Sequence, residues 1–245
     1  MTRGGTSRVV LPETLDSLDP ADTQARRSRR DLRRVHRAMR TVSILKDASR
    51  RLRLAVTPHR ILELGGGDGS LMLRLARAMR PRWPDVALTI LDWHDIVSPQ
   101  TLAGYETLGW RLQVKRQDAM AWASEPTDQH YDLCMTNLFL HHFDDSKLPV
   151  LMRAIAMNCD AFVACEPHRH AFAVLGSALI GILGTNRVTR EDAAISVAAG
   201  FTREELTAIW PNADGRWSCE EYTALPFTHC FTAALNRVRS QPVAS

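Results

Sequence analysis

Residues 61–70 read Ile-Leu-Glu-Leu-Gly-Gly-Gly-Asp-Gly-Ser, and this stretch decides the fold. Ile61-Leu62-Glu63-Leu64 is a short apolar run of strand type. Gly65-x-Gly67-x-Gly69 follows at once. Met72, Leu75, Ala76 and Met79 then mark one face of a helix that ends at Pro81 and Pro84. A strand that runs through a glycine turn straight into a helix needs residues that tolerate positive φ and carry no Cβ. The backbone N–H groups can then press against a ligand.

The same alternation continues outward. Val86 to Leu91 reads as a second strand, Leu112 to Lys115 as a third and Tyr131 to Thr136 as a fourth. A helix is expected from near Asp144, with Leu148, Leu151, Met152 and Ile155 inward, before a fifth strand at Ala161 to Cys165. Strands separated by helical stretches pair in parallel with helices on both faces, so the fold class is α/β, doubly wound. Two further strands, around Trp217 to Thr223 and Phe227 to Ala233, pair antiparallel at a sheet edge. Thr189-x-x-Asp192 and Thr202-x-x-Glu205 have the spacing of capping boxes.

Upstream, residues 1–19 lack periodicity and are expected to be a mobile lead-in. Leu32, Val35, Met39 and Val42, then Leu45, Ala48, Leu52 and Ala55, predict two amphipathic helices before Pro58. They make an N-terminal helical arm or cap over residues 1–57. The main domain spans 58–245, with a helical lid at about 168–210 that begins with the apolar run Ala171 to Gly184.

Composition removes several classes. The chain has 245 residues, 45% hydrophobic and 24% charged, which suits a globular protein and not a disordered or collagen-like one. Five cysteines form no C-x-x-C pair and fit reduced thiols in a cytosol. Glu13, Asp16 and Asp19 stand where a signal peptide would be apolar. The apolar run of fourteen residues is too short for a bilayer span of roughly 20 residues, so a cytoplasmic protein without a membrane span is expected. Residues 1–60 carry a net charge of +9 and the remainder −5. That is either a solvated basic face or an electrostatic footprint for nucleic acid.

Two ligand classes use a strand–glycine turn–helix junction: dinucleotides and S-adenosylmethionine (SAM). The dinucleotide fingerprint wants Gly or Ala at its third position, where this chain has Ser70. Glu63 lies two residues before the first glycine. A carboxylate there repels a pyrophosphate but can order the ammonium end of a zwitterionic sulfonium ligand. Asp92 ends the second strand, where a carboxylate accepts both ribose hydroxyls of an adenosine.

ELGGGDG, LTILD, Gln117-Asp118-Ala119 and DLCMTNLFLHHFDD together resemble the successive motifs of class I SAM-dependent methyltransferases. The nearest group is the small-molecule one that includes the ubiquinone/menaquinone-biosynthesis methyltransferases. The resemblance covers residues 58–170. It implies that Gly65, Gly67 and Gly69 line the methionine moiety with Glu63 nearby. It sets Asp92 on the ribose, Trp93 against the adenine, Asp118 with Ala119 at the adenine amino group, and the backbone around Asn137 at the methionine end. It also implies a seven-stranded, mostly parallel sheet with an antiparallel last strand.

The stretch Asn137 to His142 follows the fourth strand, where open α/β sheets bind ligands, so His141 and His142 are candidates for a general base toward a phenol or alcohol. Glu166 with His168-x-His170 lacks a convincing remaining shell, and no metal is expected. The expected function is methylation of a small lipophilic aromatic or polyketide-like acceptor, on oxygen before carbon. Two other classes stay open: an RNA or DNA methyltransferase using the Arg-rich arm, and a non-catalytic partner protein that keeps the fold. A homodimer is compatible with each.

Overall fold

The computed structural model describes residues 7–54, 56–125, 129–169 and 184–236. Seven strands form one sheet: β1 (Arg60–Leu64), β2 (Ala87–Asp92), β3 (Arg111–Arg116), β4 (Leu133–Asn137), β5 (Ala161–Pro167), β6 (Trp217–Ala224) and β7 (Thr228–Leu235). Their order is β3-β2-β1-β4-β5-β7-β6. The first five are parallel, and β7 inserts antiparallel between β5 and β6. All seven expected strands are present, with no end shifted by more than two residues.

The described helices are α1 (Thr14–Ser17), α2 (Thr23–Ala38), α3 (Thr41–Arg51), α4 (Ser70–Met79), α5 (Pro99–Thr107), α6 (Ala119–Ser124), α7 (Leu148–Asn158), α8 (Arg187–Ala199) and α9 (Glu205–Ile209). Alternation along the strands feeds two cores. Ile61, Leu88, Ile90, Met135 and Val163 pack with α3 and α4 on one face. Leu62, Leu64, Leu91, Phe162 and Ala164 pack with α6, α7 and Leu206 of α9 on the other.

Four expectations need correction. The lead-in is pinned where it is described: Arg8 reaches Asp145 and the carbonyls of Phe143 and Ala199, and the N–H groups of Thr14 and Leu15 donate to Asp192. Asp192 therefore caps no helix of its own; α8 is capped by Asn186, whose side chain accepts from Thr189 N–H at 2.8 Å. The break between the two N-terminal helices comes at Arg40, which takes φ 55°, so Val42 belongs to α3. The helix expected near Asp144 starts at Leu148, and the Asp144 carboxylate holds the turn before it through the N–H groups of Ser146 and Lys147.

The second half of the expected lid divides in two. Helix α8 packs on α1 and α2. Phe201, Leu206 and Trp210 instead lie in the sheet core, with Trp210 stacked on Phe162. Residues 170–183 of the lid lie outside the described residues.

Candidate functional site

The strand order reverses at β1, with β2 on one side and β4 on the other, so the carboxyl ends of the strands open a crevice there. A cavity of about 480 Å³ fills it. That is ample for a small molecule, whose sites run from roughly 300 to 1,000 Å³. Helices α1 and α2 close it from above through Leu15, Arg29, Leu32 and Arg33.

The floor is the glycine turn. Gly65, Gly67 and Gly69 hold φ of +70°, +56° and +68°. A Cβ on Gly65 would stand 2.2 Å from the Phe139 ring, whereas one on Gly67 would meet no protein atom within 4 Å. Gly65 is thus fixed by the fold, and Gly67 leaves open space toward the cavity. Gly67 N–H donates to Asp92 Oδ2 at 2.8 Å, and His94 N–H donates to Asp92 Oδ1 at 2.9 Å. These bonds aim the carboxylate at the cavity rim and leave lone pairs for a ligand.

Glu63 lies buried under the turn, and its Oε2 has no hydrogen-bond partner. Burial, reinforced by the charges of Asp92 and Asp68, pushes this carboxyl up to about 8. His36 of α2 and His94 each bury an unpartnered Nε2 at the same cavity. Burial, with Arg74 adding to it, lowers His36 to about 4. A polar atom left in this state costs about 1–3 kcal/mol. Three around one cavity mark a place for a polar ligand.

The remaining candidates are distributed along the same wall. Trp93 is 60% exposed at the rim, a free aromatic face and not a core residue. Asp118 lines the cavity while its Oδ1 caps α6 through Ala121 N–H. Ala119 packs in the core beneath and is not on the cavity wall. Asn137 lines the cavity, and the next residue, Leu138, holds φ 51°, so the chain turns sharply out of β4.

His141 and His142 come next, their ring centroids 4.2 Å apart. His141 is buried, with Nδ1 2.8 Å from Glu166 Oε2 and Nε2 3.2 Å from Glu13 Oε1. Burial alone would lower its pKa. The hydrogen bonds to Glu13 and Glu166 outweigh that and raise it to about 9. His142 Nδ1 lies 3.2 Å from Asp16 Oδ2. Glu166 also accepts from the N–H groups of Phe139 and Leu140, at 3.1 and 2.9 Å, and so fixes the turn that carries both histidines.

No protein-family model matches the chain, and no curated protein matches it either. Solved structures do. The plantazolicin methyltransferase BamL, in complex with a triazolic desmethylPZN analog and SAH, aligns with a TM-score of 0.65 and 14% identity over 91% of this chain and 94% of its own. The plantazolicin methyltransferase BpumL in complex with SAH gives 0.64 and 12%, over 88% and 91%. An O-methyltransferase family protein from Burkholderia thailandensis gives 0.55 and 16%, over 88% of this chain and 60% of its own. The chain carries the class I methyltransferase fold.

Within that methyltransferase fold, sequence reasoning missed the cavity residues that come from outside the motifs. Glu13 and Asp16 sit in the supposed lead-in, Arg29, Arg33 and His36 on α2, and Ser196 on α8, where its hydroxyl meets Glu13. Glu166, at the end of the fifth strand, is within reach of the pocket on the sequence alone, but its role in holding the histidine turn is not legible there; its place beside the end of β4 supplies it. For Glu13 the only signal is the run of acids Glu13, Asp16 and Asp19 ahead of the Arg-rich helices.

Proposed function

We propose that this protein is a SAM-dependent methyltransferase acting on a small lipophilic, aromatic or polyketide-like metabolite, with oxygen as the methylated atom. The observation that carries the reading is the buried, unpartnered Glu63 oxygen beneath the open face of Gly67, with Asp92 one strand over. A zwitterionic adenosyl ligand matches that set. Its ammonium answers Glu63, its ribose hydroxyls answer Asp92, and its adenine has Trp93 and Asp118 at the rim. Bound there, SAM supplies an electrophilic methyl group on a sulfonium.

The protein's own part is alignment and exclusion of water. Leu15, Leu32, Ile96 and Phe139 give the cavity an apolar lining, and α1 and α2 cover it. His141 and His142 receive the acceptor's nucleophilic group. His141 has both ring nitrogens facing carboxylates, so it does not take up that group's proton; it holds Glu13 and the turn at the acceptor end in place.

A small acceptor is favoured over nucleic acid because two arginines of the basic arm, Arg29 and Arg33, line the cavity and are held by partners within the chain. Arg33 binds Asp68 at 2.7 Å, and Arg29 donates to the Pro20 carbonyl at 2.8 Å. Among the described residues no helix is long and apolar enough to cross a membrane. All five cysteines are free, which supports a reducing, cytosolic setting. Isothermal titration with S-adenosylhomocysteine (SAH) tests the proposal. Saturable binding that Gly67→Arg abolishes is the expected result, and absence of heat at millimolar ligand refutes it. RNA binding that weakens steeply with salt, with no SAH binding, would favour the Arg-rich arm.

A further inference from the structure

We propose that Glu13, His141 and His142 bind one divalent transition-metal ion, Zn2+ or a first-row neighbour, at the acceptor end of the cavity. The inference rests on the methyltransferase reading for the identity of the acceptor, but the site itself is read from its donors. One ligand atom from each of the three residues lies within 4.8 Å of the other two. His141 Nε2 and Glu13 Oε1 are 3.2 Å apart. Two ligands of a tetrahedral ion with bonds of about 2.1 Å stand roughly 3.4 Å apart, so the observed gap leaves an ion room with little movement.

The surrounding carboxylates supply what such a site requires beyond its ligands. A metal-binding histidine normally gives its other nitrogen to a carboxylate, which fixes the tautomer and raises the ligand's basicity. His141 does so through Nδ1 to Glu166 at 2.8 Å, and His142 takes the same arrangement in the proposed site, with Nδ1 3.2 Å from Asp16 and Nε2 left for the ion. Two imidazoles and one carboxylate make a three-ligand set with an open position, the arrangement that admits a further oxygen or nitrogen. Because all three residues line the cavity, that position faces the acceptor. Three carboxylates in one place also need positive charge. Protons on the histidines or a divalent ion can supply it, and the experiment separates the two.

The test uses the full chain without an affinity tag, stripped with a chelator and dialysed against micromolar Co2+ or Zn2+. Bound metal is counted by mass spectrometry, the cobalt form is examined by visible absorption, and SAH binding is measured on the same samples. One ion per chain is expected, with a cobalt spectrum of low coordination number. Glu13→Gln and His142→Ala should each weaken binding at least about tenfold, and Asp16→Asn by about tenfold through loss of the supporting carboxylate. Substoichiometric uptake by protein that binds SAH would overturn the metal site and leave the methyltransferase reading intact. One tight ion that both ligand variants retain would overturn it too, because the ion then sits elsewhere. Stoichiometric, variant-sensitive uptake without SAH binding would uphold the site and refute the methyltransferase reading.

Discussion

Glu63→Gln isolates the residue on which the cofactor reading turns. In the folded protein burial, with Asp92 and Asp68 facing the same carboxyl, raises its pKa from 4.5 to about 8. The native state therefore holds a proton that the unfolded chain has released. Between those two pH values stability falls as pH rises: it is fully present below about 4.5 and lost progressively up to about 8. At about 1.4 kcal/mol per factor of ten, the whole interval is worth on the order of 5 kcal/mol. Glutamine keeps the shape and cannot ionise. The gap between variant and wild type should thus open in the variant's favour from pH 5 to pH 9 and level off above it. Urea unfolding of ligand-free protein, followed by tryptophan fluorescence across that range, measures the gap directly. Curves that stay parallel within about 0.5 kcal/mol would show that Glu63 is ionised in the fold, and the argument from its unpartnered oxygen would fail. In SAH titrations the same variant should bind more weakly, because glutamine cannot give up a proton to face the ligand's ammonium as a carboxylate, which Glu63 can do when the ligand binds.

Two glycines of the turn with one residue between them should behave oppositely. Gly65→Ala drives a methyl into the Phe139 ring at positive φ and should cost roughly 2–4 kcal/mol of stability, read as a lowered Tm. Gly67→Ala meets no protein atom and should cost only about 1–2 kcal/mol, yet SAH affinity should fall at least about tenfold. If Gly67→Ala binds SAH normally, no ligand presses on that turn. Asp92→Ala should weaken SAH by about 1–3 kcal/mol in calorimetry, the cost of stranding buried ribose hydroxyls. Unchanged affinity would place the ribose elsewhere.

The sheet was legible because parallel strands buried on both faces appear as short apolar runs, and Ile61–Leu64 and Ala161–Cys165 are of that kind. The end of the cavity proposed to hold the cofactor was legible for a related reason: Glu63, the glycines and Asp92 are placed by two neighbouring strands and one turn. The N-terminal region was harder. For its first long helix, apolar spacing predicts a stripe of Leu32, Val35, Met39 and Val42, whereas the structure buries Ala25, Ser28, Asp31 and Val35. Ser28 and Asp31 are buried because Asn186 meets them, through its side chain and its N–H, across more than 150 residues of chain. Hydrophobic periodicity does not register a polar seam of this sort. Neither does it register that Asp192 serves the backbone of Thr14 and Leu15 instead of its own helix.

That contrast follows how the two ends of the cavity are built. The cofactor end depends on backbone shape, with positive-φ glycines and a carboxylate held by N–H groups, and the sheet enforces it. The acceptor end depends on side chains contributed by α1, α2, α8 and the turn after β4, joined through Glu13 to His141 and Ser196 and through Asp16 to His142. Exchange of Glu13 or Asp16 would change what that end binds without touching a residue of the sheet. The fold can therefore persist at 12–16% identity to structures such as BamL and BpumL, while the groups proposed to face an acceptor lie in the segments where the motifs are silent. A search for the proposed acceptor accordingly belongs with the chemistry of Glu13, Asp16, His141 and His142, not with the ligands of the chain's structural neighbours.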